Sequence, residues 1–163
     1  MKILRRALIV LAVLFVVIQL MPYGRAHANP AVSAEPPWDS PRTRELAARA
    51  CFDCHSDETR WPWYSHVAPF SWLVQHDVDE GRSKLNLSEW DRPHGEADEA
   101  AEMLESGEMP PWFYLPLHSQ ARLSEAEQAE LLRGLAATLG GEGDAEQQAD
   151  EAGEEEGGEE EDD

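Results

Sequence analysis

A chain of 163 residues with 33 acidic and 13 basic side chains, formal charge −20, has room for one small domain and lacks the basic surface that nucleic-acid binding needs. Thirteen of the acidic residues crowd into 142–163 with no base among them, so everything before that segment carries only −7. Such a Glu, Asp and Gly run cannot bury enough apolar surface to offset its ordering entropy, and its charges repel; it is expected to be a disordered, solvated tail, or in a sharper reading a docking element for a basic partner.

At the start, Lys2, Arg5 and Arg6 precede an apolar stretch from Ala7 to Met21 broken only by Gln19. This is the layout of a signal sequence or a single membrane anchor spanning 1–28, and charge asymmetry places everything after Pro22 on the outer side. An uncleaved N-terminal membrane helix is favoured, although the stretch is slightly short for a full span; cleavage after Ala26-His27-Ala28 is the alternative. Both put the two cysteines in an oxidising compartment.

Residues 29–39, rich in Pro and small side chains, read as an extended linker lifting the domain from the membrane. The foldable domain then covers 40–141. Ser40-Pro41 is a helix-start signal, and Leu46, Ala47, Ala50 and Cys51 follow at helical spacing, so a first helix runs into Cys51. A second, short helix is expected from about Pro69, burying a stripe of Phe70, Leu73, Val74, Asp77 and Val78 and ending near Gly81. Ala97, Ala100, Ala101 and Leu104 predict a third between Pro93 and Glu105, with Gly107 as its stop. Ser124 and Glu127 form a capping box opening a fourth, which carries Leu131, Leu132, Leu135 and Leu139 and stops at Gly140-Gly141. No alternating strands and no internal repeat occur, so the class is all-α with long loops.

The chemistry concentrates in Cys51-Phe52-Asp53-Cys54-His55, which holds both cysteines of the chain. This is the C-x-x-C-H pattern of covalent haem attachment: two thiols one helical turn apart reach the two vinyl groups of a porphyrin, and the adjacent His55 supplies a proximal imidazole to the iron. Zinc fits worse because His66 and His76 lie outside finger spacing, and thiol-disulfide exchange fits worse because no strand-helix-strand pattern surrounds the pair. A plain structural disulfide would leave His55 unexplained.

For the opposite face of the iron, the domain offers Met103 and Met109. Met103 sits on the apolar stripe of the third helix and reads as core filler. Met109 stands in a loop between Gly107-Glu108 and Pro110-Pro111, whose rings stiffen the backbone, and is favoured as the distal ligand; His118, His66 or an open iron are the rivals. Aromatic residues are dense here. Trp61, Trp63, Tyr64, Trp72, Trp90 and the run Trp112-Phe113-Tyr114 are read as a wall for a flat porphyrin, with an ordinary core as the other account. Arg82 and Arg60 are candidates for pairing with haem propionates, or solvated surface residues.

These residues together resemble the small haem-binding domain family of bacterial envelope proteins. The matching blocks are Asn29-Pro30, Cys51-Phe52-Asp53-Cys54-His55-Ser56, Trp61-Pro62-Trp63-Tyr64-Ser65, Ala68-Pro69-Phe70-Ser71-Trp72, Gly81-Arg82, Asn86-Leu87-Ser88-Glu89-Trp90 and Gly107-Glu108-Met109-Pro110, spread over 22–139. The resemblance implies a cytochrome-c-like helical domain with one haem c behind an N-terminal anchor, and it leaves the acidic tail unmatched. The expected role is a one-electron carrier on the periplasmic side of the inner membrane, serving a redox partner protein whose identity the sequence does not carry. A small-ligand sensor with an open distal site is the second reading. A small peroxidase, using His66 or His118 as its acid-base group, is the third.

Overall fold

The computed structural model describes residues 1–93, 97 and 99–140; the acidic segment 142–163 lies outside them. Among the described residues there are six α-helices and two 3-10 turns, with no strand and a single isolated bridge pairing Ala34 with Glu89. The described residues form the expected all-α class.

Helix α1, Lys2–Ile18, has 17 residues and buries none of them. At about 1.5 Å per residue it extends some 25 Å, short of the roughly 30 Å of a bilayer core. No helix among the described residues is long and apolar enough to cross a membrane. The apolar stretch runs on to Met21, but the helix ends where the Gln19 amide pairs with the backbone of Ala68, donating to its carbonyl at 2.9 Å and accepting its N–H at 3.0 Å.

The segment read as a free linker is extended, and it is fastened to the domain. Asn29 donates to the Thr59 carbonyl, Ser33 and Ala34 donate to Ser88, and Trp90 donates to Ala34. Glu35 takes a two-pronged bond from Arg44, and the ring of Trp38 lies 6.2 Å from that of Phe52.

Helix α2, Pro41–Ala50, begins as the sequence predicts: the Ser40 hydroxyl accepts the Thr43 N–H, and Pro41 occupies the first turn, where a missing N–H costs nothing. It passes through Cys51 into the single turn α3, Phe52–His55. Helix α4, Phe70–Lys84, has 15 residues and continues through Gly81. Its packed face is Ser71, Val78 and Gly81, whereas Phe70 and Leu73 of the expected buried stripe are 56% and 51% exposed. Close approach explains the change of face. A Cβ on Gly81 would stand 2.6 Å from the Cys54 carbonyl oxygen, so only glycine lets α4 lie against α3 at this distance.

Helix α5 is described over Glu99–Glu105; the expected start at Pro93 falls beside positions outside the described residues. Gly107, at φ +76°, turns the chain out of it. Helix α6, Glu125–Leu139, carries the predicted capping box in full, with Ser124 accepting from the Glu127 N–H and Glu127 accepting from the Ser124 N–H. Gly134 lets α6 meet α2, since a Cβ there would fall 2.1 Å from the Thr43 hydroxyl oxygen. Leu46, Ala47, Phe52, Leu85, Leu87, Leu104, Leu131, Leu135 and Leu139 close the core between α2, α5 and α6.

Candidate functional site

Where α2 breaks into α3, the chain turns Cys51, Cys54 and His55 toward one cavity of about 300 Å³, a size in keeping with small-molecule sites. The turn is held by backbone bonds from Cys51 to Ala47 and from His55 to Cys51. Leu85, Leu87, Leu104, Leu135 and Leu139 supply apolar wall, α4 adds Asp77, Glu80 and Lys84 along one helical edge, and the loop after α5 adds Met109, Pro110, Pro111, Phe113 and Tyr114.

Both thiols are free, and burial pushes each up to about 12, with the neighbouring Cys54 adding to the effect on Cys51 and the Asp77 and Asp53 carboxylates adding to that on Cys54. An exchange-active thiol needs the opposite, a pKa lowered toward neutrality. The surroundings of the pair supply no such activation. No group of three His, Cys, Asp or Glu side chains able to hold a metal ion occurs among the described residues.

His55 has a defined orientation. Its Nδ1 lies 3.1 Å from the Leu85 carbonyl oxygen, and since a carbonyl can only accept, Nδ1 must carry the proton. In the neutral ring the lone pair then belongs to Nε2, the tautomer in which imidazole ligates metal through that atom. Two thiols at attachment spacing, an imidazole of fixed tautomer and thioether sulfurs from another element, set in an apolar cavity, form a donor set that fits a haem.

Met109 lines this cavity, as read from the sequence, and so does Met103, read as core filler. The rivals for the distal position do not line it. His118 is buried, donating through Nδ1 to the Tyr114 carbonyl at 2.9 Å and meeting the Tyr64 hydroxyl at 3.3 Å through Nε2. His66 is exposed and packs edge-on against His27.

The aromatic wall is redistributed. Trp61 stacks on His27 at 4.7 Å and donates to Asn29; Trp63 is 79% exposed; Tyr64 faces His118; Trp90 packs on the outside of the core. Trp72 lies on α4 away from the cavity, its buried indole N–H finding no partner among the described residues. Phe113 and Tyr114 are the members of the aromatic set that reach the cavity. Arg82 is turned away as well: its guanidinium is used on the carbonyls of Ser56 and Ala28, the Thr59 hydroxyl and the Asp57 carboxylate, tying the segment after α1 to the loop after His55. Arg60 is held by Asp53. The basic side chain on the cavity wall is Lys84.

Asp53, the residue inside the cysteine pair that sequence reading passed over, is a junction. Only 7% exposed, it accepts the Arg60 backbone and side-chain N–H groups on Oδ1 and the Tyr114 hydroxyl on Oδ2 at 2.6 Å. Burial, followed by this bond, pushes the Tyr114 phenol far above its ordinary value. Its position between the cysteines was the one available signal.

Comparison with curated proteins and with solved structures gives no match. A family model described as haem-binding domain matches residues 13–137, well over half of the chain and including every residue of the cavity up to Leu135. With the matched segment carrying two thiols, an imidazole and thioethers on one cavity, the chain belongs to the haem-binding domain family.

Proposed function

We propose that the protein is a c-type cytochrome acting as a one-electron carrier, with Cys51 and Cys54 as covalent attachment points, His55 as proximal ligand and Met109 as distal ligand. The observation carrying this reading is that all four side chains line the same apolar cavity. When bound, the haem would supply an iron that alternates between ferric and ferrous states. The protein's part is to hold it: the Leu85 carbonyl keeps the His55 lone pair on Nε2, leucines exclude water, and a thioether raises the potential relative to a second imidazole.

The carrier would work on the periplasmic side of the inner membrane, with the apolar helix α1, none of whose residues is buried, as anchor or signal core and a redox protein as partner. The Gln19 bonds to Ala68 join the end of α1 to the domain.

A sensor or small-ligand module is the second reading, favoured by one feature: Met109 is 40% exposed and also borders a neighbouring cavity of about 370 Å³, into which its side chain could withdraw. A peroxidase reading loses its acid-base group, since neither His66 nor His118 lines the cavity of Cys51, Cys54 and His55. The deciding experiment is a pyridine haemochrome spectrum paired with intact mass, on protein from a host that matures cytochromes. The expected mass exceeds the polypeptide's by one haem, and the ferrous protein ignores carbon monoxide. A bare polypeptide mass overturns the attachment; avid carbon monoxide binding transfers the case to the sensor.

A further inference from the structure

We infer that Tyr114 is a positioning residue for Met109, its hydroxyl tethering the 109–114 segment to the Cys51–His55 turn through Asp53. The inference rests on the reading of Met109 as distal ligand. It begins from how little else restrains this segment. Pro110 and Pro111 have no N–H to donate, and Met109, Trp112 and Phe113 are 40%, 82% and 49% exposed, so between its two ends the loop over the cavity has little backbone bonding or packing to pin it.

At its start the Met109 N–H bonds back to Met103 of α5, and within it the Tyr114 N–H bonds to Pro111. Among bonds between described residues, the link from this segment to the cysteine turn is the Tyr114 hydroxyl on Asp53 Oδ2, 2.6 Å long and charge-assisted. Both ends of that link are preset. Arg60 grips Oδ1 of Asp53 from backbone and side chain and reaches Oδ2 only at 3.4 Å, where the phenol makes the short bond. The Tyr114 ring lies flat on His118 at 3.7 Å and 8°, and His118 Nδ1 donates to the Tyr114 carbonyl. A ring fixed on one face and a carboxylate fixed by Arg60 make a short, directional tether. It joins the element carrying the proximal ligand to the loop carrying Met109, across the cavity both line.

Tyr114→Phe removes the hydroxyl and leaves the stack on His118. In the full-length holoprotein the expected result is haem attached, by mass, with the weak thioether-to-ferric-iron absorption band lost or strongly reduced and the reduction potential lowered. Amide exchange at position 114 should speed up about tenfold or more, the loss of one hydrogen bond to a charged group. Asp53→Ala should behave alike. Asp53→Asn, whose amide oxygen can serve Arg60 while its N–H donates to the Tyr114 oxygen, should recover much of the band. A holoprotein Tyr114→Phe with wild-type band and potential overturns the tether. Should Tyr114→Phe yield no haem protein, Asp53→Asn decides: a retained band supports the tether and a lost one overturns it. Wild-type protein of bare polypeptide mass would instead sink the haem reading, and exchange at position 114 in the wild-type and variant chains would still test the tether.

Discussion

Replacing Gly81 by Ala sets two effects of opposite sign against each other at the wall of the cavity. Gly81 lies inside α4, where alanine is favoured over glycine by about 1 kcal/mol. Against that gain, the new Cβ would stand 2.6 Å from the Cys54 carbonyl oxygen and 3.0 Å from the Cys54 Cβ. These are backbone and near-backbone atoms of α3, which cannot swing aside as a side-chain tip would. To reach ordinary contact they must retreat by about 0.8 Å. Overpacking of this kind costs roughly 1–3 kcal/mol, and with rigid atoms on both sides the upper end applies. The net expectation is a loss of about 2 kcal/mol, or a melting temperature lower by about 8 °C for a domain of this size. Because α3 carries Cys54 and His55, displacement of α4 should also lower the yield of attached haem. Thermal melting of the purified holoprotein, read by far-ultraviolet circular dichroism, is the assay. A Gly81→Ala protein melting at or above the wild-type temperature would refute the close-contact argument, because helix propensity would then have won.

Three further outcomes follow from the same geometry. Glu127 is held at about 2 by Arg49 first and then by the Ser124 backbone and hydroxyl, against 4.5 for an ordinary carboxyl. The unfolded chain therefore binds the extra proton between those values, so stability should fall as pH drops through that window, and Glu127→Gln should flatten this part of a denaturant-midpoint profile against pH. Met109→Ala should remove the thioether band and lower the potential of the holoprotein, and a band that persists would transfer the role to Met103, which lines the same cavity. The double variant Cys51→Ala, Cys54→Ala should lose cooperative melting, since a cavity of about 300 Å³ between α2, α4 and α6 would lack its filling; unchanged melting would contradict that.

Much of this was legible from residues a turn or less apart. The Ser40-Pro41 start and the Ser124 to Glu127 capping box act within one helical turn, where backbone geometry is fixed and side-chain reach is short, so reading and structure agree, and the same short reach brings Cys51, Cys54 and His55 to one cavity. Met109 was legible for a similar reason, because the flanking Gly107 and prolines mark a stiff loop. Positions set by long-range packing were not. Periodicity gave α4 an apolar stripe through Phe70 and Leu73, but the helix packs through Ser71 and Gly81, since the gain from close approach to α3 outweighs burying those two side chains.

Composition likewise suggested an aromatic wall, yet which rings reach the cavity depends on where loops fold back, and of that set Phe113 and Tyr114 arrive there. Arg82 had the chemistry to grip a propionate, but the chain brings two carbonyls, a hydroxyl and a carboxylate to it first. The sequence by itself therefore determined the spacing of the two thiols and the imidazole and the helix starts, because these are written in neighbouring residues. Tertiary structure alone decided the lining of the cavity and the meeting of Tyr114 with Asp53, because residues 61 positions apart are brought together by the packing of the whole domain.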